Sequence, residues 1–185
     1  MPHGPNKPPF RAEDRQAPSP ESFEGRLMAL MPDLRRYSRS LVRSDADGED
    51  LLQDSVERVL ASRAAWSGIN LRGWVLTIMT NLYRNGTRRS RRFPSADIAE
   101  AEGLPGPESA GDPLERSRLA RALDALTPDH RAVLMLVVIE GYSYAEVADI
   151  AKIPIGTVMS RLARAREQLS KHLAEDNIIP LRRSE

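Results

Sequence analysis

From Phe23 onward apolar side chains recur at steps of three and four: Phe23, Leu27, Leu30, Leu34, Tyr37 and Leu41 trace one face of a helix. Pro32 falls near its middle and is expected to break or bend it, because proline cannot donate the intrahelical bond. A second helix is expected from about Ala46 to Ala64, with Leu52, Val56 and Val59 inward and Glu49, Gln53, Asp54 and Glu57 outward. Its early acids, Asp47, Glu49 and Asp50, suit the positive end of the helix dipole. The loop Trp66 to Asn70 then leads to a third helix that starts near Leu71 and carries Trp74, Ile78 and Leu82.

The periodicity stops between Pro94 and Pro113, where four prolines and three glycines mark a boundary. It resumes over Leu114 to Leu126, with Leu119, Leu123 and Leu126 expected inside. Thr127 followed by Pro128 reads as a helix cap with proline at the first position. The apolar run Ala132 to Ile139 fits a buried strand on periodicity alone; the Thr-Pro start and the stop at Gly141 favour a buried helix. Ser143 and Glu146 have capping-box spacing and open a short helix, Tyr144 to Ala151. Lys152, Ile153 and Pro154 leave room only for a sharp corner before a longer helix, about Gly156 to Leu173, with Val158, Leu162, Ala165 and Leu169 on one face. The expected fold is all-α: two small helical domains, 23–93 and 113–176, joined by a flexible acidic linker at 94–112. Tails without periodicity are expected at 1–22 and 177–185.

Composition narrows the chemistry. The chain lacks cysteine, which excludes disulfides and thiolate sites and suits a reducing cytoplasm. No apolar run approaches the ~20 residues a bilayer requires, and the polar, proline-laden N-terminus does not read as a signal peptide. His3, His130 and His172 are scattered without metal spacing, and no phosphate loop or nucleophile motif appears. No catalytic residue, metal, cofactor or small-molecule substrate is therefore expected. The net charge of +1 conceals a strong asymmetry: every charged residue from Arg72 to Arg92 is arginine, and every one from Asp97 to Glu115 is acidic.

Two helices joined by a tight corner read as a helix-turn-helix. The second presents Thr157, Ser160, Arg161, Arg164 and Lys171 away from its apolar face, with Arg166 counted among the basic residues there. Arginine bonds two acceptors on a guanine edge, while serine and threonine suit phosphates or mixed contacts. A solvated helix with a few arginines would look similar; the agreement of apolar spacing, corner and capping box favours DNA reading.

The segment Asp50 to Leu60 (DLLQDSVERVL), followed by Trp74 to Asn81 (WVLTIMTN) ahead of Arg88 and Arg89, resembles the second region of extracytoplasmic-function sigma factors. Leu126 to Pro128 (LTP), Tyr142 to Ala148 (YSYAEVA) and Gly156 to Arg166 (GTVMSRLARAR) resemble their fourth region. The opening Leu27 to Arg35 (LMALMPDLR) is similar to the general-stress subgroup. The resemblance implies that Glu49, Asp50, Gln53, Asp54 and Glu57 dock on core RNA polymerase. It further implies that Trp66, Asn70, Arg72, Asn81, Arg84, Asn85, Arg88, Arg89, Arg91 and Arg92 recognise the minus-ten element and hold the opened non-template strand. Thr157, Ser160, Arg161, Arg164, Arg166 and Lys171 would read the minus-thirty-five duplex, and an anti-sigma factor would hold the protein inactive. Trp74 is assigned to the core, whereas Trp66 is left between packing and base stacking. Asp54 stands where the family usually has Glu, and Asn85 where an acid is common. A decoy that binds only an anti-sigma protein, and a dimeric repressor with the same helix-turn-helix, fit the arginine-rich segments less well.

Overall fold

The computed structural model describes residues 19, 21–92 and 113–175. The linker expected at 94–112, the tail at 177–185 and nearly all of the tail at 1–22 lie outside the described residues, as do the side chains of Arg88, Arg89, Arg91 and Arg92. Among the described residues the chain is helical throughout: α1 (Phe23–Leu41), α2 (Asp45–Ala61), a single 3-10 turn (Arg63–Ala65), α3 (Leu71–Arg92), α4 (Pro113–Asp124), α5 (Pro128–Val138), α6 (Tyr144–Ala151) and α7 (Ile155–Glu175). None of these helices is long and apolar enough to cross a membrane.

The Ser22 hydroxyl caps α1 by accepting the Gly25 amide, and the helix buries Phe23, Leu27, Leu34, Tyr37 and Leu41. It runs through Pro32 as one element, so Pro32 does not break it. Pro32 and Met28 both lie on the exposed side, so the carbonyl deprived of its amide partner sits where water reaches it, which lowers the cost. α2 ends at Ala61, three residues early, because the chain tightens into the 3-10 turn. It crosses α1 closely at Gly48, where a Cβ would lie 3.1 Å from the Cα of Arg39. α3 turns Leu71, Val75, Leu76, Met79 and Tyr83 into the core, while Trp74, Ile78 and Leu82 are only partly covered. Between α1 and α3 the buried hydroxyls of Tyr37 and Thr80 share a hydrogen bond of 2.9 Å. Loss of hydration pushes the Tyr37 phenol far above its ordinary range.

In the C-terminal half Leu126 is buried as expected, whereas Leu119 is exposed and Leu123 only partly covered, and Ala122 is the residue that α4 buries. The reason is that α4 rests mainly on a single neighbour, α7, so only a narrow stripe of it is covered. Thr127 caps α5 by accepting the His130 amide, with Pro128 in the first turn, and Ala132 to Leu136 are buried; the run is a helix, not a strand. Gly141 adopts a positive φ of 70° where the chain leaves α5.

Ser143 and Glu146 complete the capping box that opens α6. Hydrogen bonds from the Ser143 hydroxyl and backbone amide hold the Glu146 carboxyl below its ordinary value of 4.5. A depressed folded-state pKa stabilises above the ordinary value, and that contribution is lost as pH falls through the folded value. We therefore expect the melting temperature of the wild type to fall below about pH 4.5 more steeply than that of Glu146→Gln, as read by circular dichroism. Lys152, in the left-handed region at φ 54°, and Pro154 then make the corner into α7, which buries Val158, Leu162 and Ala165.

α1 and α3 pack against α5, and α3 also meets α6. The buried apolar residues of both halves consequently form one connected cluster, from Phe23 to Ala165.

Candidate nucleic-acid interface

Burial of Val158, Leu162 and Ala165 fixes how α7 faces solvent. At about 100° per residue, Thr157, Ser160, Arg161, Arg164 and Lys171 share one sector of the helix. Ser160, Arg164 and Lys171 are exposed and Thr157 partly so; the Ser160 hydroxyl donates to the Thr157 carbonyl at 3.1 Å. Arg166 is exposed but lies about 180° around from Thr157, so it belongs to a different surface from the other five. Arg161 is held back on the domain, its guanidinium 3.4 Å from Asp129 of α5. A cleft of 530 Å³ runs between this face and α3, lined by Arg84, Asp129, His130, Thr157, Arg161 and Arg164 among others.

On α3, Asn81 and Asn85 are exposed. Asn70 is occupied otherwise: its side-chain oxygen accepts the Gly73 amide at 3.0 Å and so caps α3, with Asn70 itself at φ 46°. Trp66 packs against Phe23 with ring centroids 5.3 Å apart, donates to the Ile69 carbonyl at 3.1 Å, and carries the Arg26 guanidinium 4.9 Å above its ring. Packing rather than an open stacking platform is thus its state here. Trp74 is partly covered beside the same Phe23, at 6.4 Å.

Arg72 and Arg84 do not project freely. Arg72 pairs with Glu140, reaches the Tyr142 hydroxyl at 3.2 Å, and lies over the Tyr142 ring at 5.1 Å. Arg84, with 15% of its side chain exposed, pairs with Asp129 and comes within 3.4 Å of the Ala151 carbonyl. Glu140, whose side chain has 0% exposure, also takes Arg36 at 3.2 Å. Arg131, 8% exposed, donates to the carbonyls of Ser40 at 2.9 Å and Val42 at 2.8 Å and to Asp124 at 2.8 Å.

On α2, Asp50, Gln53, Asp54 and Glu57 form an exposed acidic strip, with Gln53 donating to Glu57 at 3.0 Å. Glu49 is drawn toward α1, bonded by Arg35 at 2.9 Å and Arg39 at 3.1 Å, and Arg35 foremost holds its carboxyl below the usual range.

Two family profiles match these halves: one described as the Sigma2 domain of PhyR over residues 27–80, the other as Sigma-70, region 4 over residues 116–169. The chain is 35% identical over 161 residues to the ECF RNA polymerase sigma factor EcfG of Rhodopseudomonas palustris, covering 86% of this chain and 89% of that one. This chain belongs to the ECF RNA polymerase sigma factors. It is also 32% identical over 160 residues to the RNA polymerase sigma factor CarQ of Myxococcus xanthus, with 84% and 91% covered. Among solved structures it resembles the sigma factor RpoE of Bartonella quintana, crystallised with the anti-sigma factor NepR. The TM-score is 0.66 at 30% identity, over 84% of this chain and 98% of that one. It also resembles CnrH in complex with the cytosolic domain of CnrY, with a TM-score of 0.60 at 26% identity over 83% and 88%.

Within this sigma factor, sequence reasoning missed Arg36, Asp129, Arg131, Glu140 and Tyr142, which join the two halves. A signal was available: Arg131 and Glu140 bracket the apolar run Ala132 to Ile139, and a charge at the end of a segment that is largely buried needs a partner.

Proposed function

We propose that this sigma factor binds bacterial core RNA polymerase and directs promoter-specific initiation, acting in the cytoplasm by binding energy alone, without catalysis of its own. Its working units are a region-2 domain at 23–93 and a region-4 domain at 113–176, joined by the linker 94–112, with tails at 1–22 and 177–185. The observation that carries the reading is the face formed by Thr157, Ser160, Arg161, Arg164 and Lys171 on a helix seated behind a capped α6, the arrangement that places side chains on base edges in the major groove. That face reads the minus-thirty-five duplex.

α3 meets the minus-ten element. Arg72, Arg84, Arg88, Arg89, Arg91 and Arg92 supply the positive track for phosphates, and Asn81 and Asn85 supply polar groups for unstacked bases. Extruding a base costs a few kcal/mol, which such contacts must return. Asn70 contributes by capping the helix that carries them. Asp50, Gln53, Asp54 and Glu57 dock on polymerase, and Glu49 steadies the strip from behind. RpoE and CnrH were solved with NepR and CnrY, which supports an anti-sigma partner for this chain as well.

In vitro transcription tests the reading. The purified chain added to bacterial core polymerase over a pool of genomic promoter fragments is expected to yield specific transcripts that depend on it. Arg88→Ala with Arg89→Ala is expected to reduce initiation while leaving core binding intact. A chain that does not bind core polymerase would refute the reading; one that binds but starts no transcript would favour the decoy.

A further inference from the structure

An apolar groove of 440 Å³ lies between α4, the end of α5 and the C-terminal half of α7, with the end of α1 closing one side. Leu119, Leu123, Leu134, Val138, Ile139 and Leu169 line it among others. Val138 is 61% exposed and Leu119 46%; Leu173, one turn beyond Leu169 on α7, is exposed as well, so the apolar surface continues toward the end of that helix. Apolar side chains gathered in one open groove mark a surface that has an occupant. We propose that the occupant is this chain's own tail: residues 176–185 fold back from the end of α7 and lay Ile178, Ile179 and Leu181 on this surface.

The tail begins beside the groove. Leu169 lines it, and α7 runs six residues further to Glu175, a rise of about 9 Å; residues 176–181, extended, span about 20 Å and so reach back past Leu169. Counted from Glu175 as the last helical residue, Asn177 holds the position at which chains leave a helix in the left-handed region, a role asparagine shares with glycine. The same cap sets Ile178 against Leu173, the apolar contact that accompanies this kind of reversal. Pro180 cannot continue a helix and favours an extended residue before it. Ile179 and Leu181, two apart, then share one side of the chain and face the groove, while Arg182 and Arg183 follow them and stay in water. Tethering favours this occupant over a separate molecule, because a segment joined by so short a connection meets the groove at an effective concentration on the order of millimolar. A partner helix that takes the same groove must first displace the tail.

Since the chain has no cysteine, Ser184→Cys carries a single nitroxide on the full-length protein. Methyl NMR is expected to show the signals of Leu119, Val138, Ile139 and Leu169 losing most of their intensity relative to the reduced label. Those of Met28 and Leu60, exposed on α1 and α2, are expected to keep theirs. Ile179→Asp with Leu181→Asp is expected to restore the lost intensity and to raise the emission of added anilinonaphthalene sulfonate as the groove opens. Both positions follow α7, and the circular dichroism spectrum is expected to stay that of the wild type. A weak uniform loss over all methyls, or none, would leave the groove to a separate partner and overturn the proposal. A loss that survives the two aspartates would also overturn it, since the tail would then lie near the groove without being held there by its apolar residues. Isotopically enriched protein without the nitroxide, mixed with spin-labelled protein at natural abundance, reads contacts between copies alone. The full loss appearing in that mixture would give the groove to the tail of a second copy and overturn the fold-back.

Discussion

Leu162→Ala is expected to lower the stability of the C-terminal helices by about 2–5 kcal/mol and to weaken promoter binding with it. Leu162 is 2% exposed and shares its buried stripe with Val158 and Ala165, where α7 packs against α4, α5 and α6. Truncation there leaves a cavity as well as losing transfer energy, because the surrounding helices close on it only in part. For a unit of this size such a loss lowers the melting temperature by roughly 10 °C or more, readable by circular dichroism. The functional effect follows from geometry: Arg161 is the adjacent residue and Arg164 lies two beyond, so their direction is set by how firmly this stripe is seated. Met159→Ala is the matched control. Met159 is 54% exposed on the same helix, and its truncation should change stability by no more than about 0.5 kcal/mol. Equal losses at both positions would mean that α7 is not held by the stripe that the burial pattern assigns.

What the sequence revealed was local. The Thr127-Pro128 start and the Ser143–Glu146 box were readable because each closes hydrogen bonds within three residues, and the seating of α7 because its period is that of a helix. Two misjudgements were avoidable on the same terms. Asn70 precedes the helix of Leu71 and is a residue type that caps, and Arg166 is placed off the reading face by counting residues around the helix. Other features were invisible for a physical reason. Arg131 finds the carbonyl of Ser40 from 91 residues away, and Arg36 finds Glu140 from 104; nothing in the spacing of either residue encodes such a partner. Pro32 is tolerated and Leu119 left exposed because of which neighbours each helix acquires. The period describes a helix's own stripe but not how wide a stripe the fold covers. The junction between the two halves is therefore a tertiary property, and the sequence showed only its ingredients, the arginine-rich α3 and two charges bracketing an apolar run.

Arg164→Ala and Arg161→Ala are expected to differ, although both lie in the reading sector of α7. Arg164 is exposed, so a bidentate base contact formed on binding would be nearly all gain; losing it should cost about 1–3 kcal/mol, roughly 5- to 150-fold in affinity for the duplex carrying the minus-thirty-five element. Arg161 starts from an ion pair with Asp129 at 3.4 Å and must surrender it before reaching DNA. The net contribution of its contact is smaller by that exchange, and its removal should weaken binding less. Salt titration then separates the kinds of contact. A base-reading arginine leaves the slope of log affinity against log salt nearly unchanged and relaxes discrimination at one base pair, whereas a phosphate contact lowers affinity for every sequence alike and reduces the slope by about 1. Arg164→Ala is expected to behave in the first way. If it behaves in the second, the face is a backbone clamp rather than a reader, and specificity at the minus-thirty-five element must come from Thr157 and Ser160.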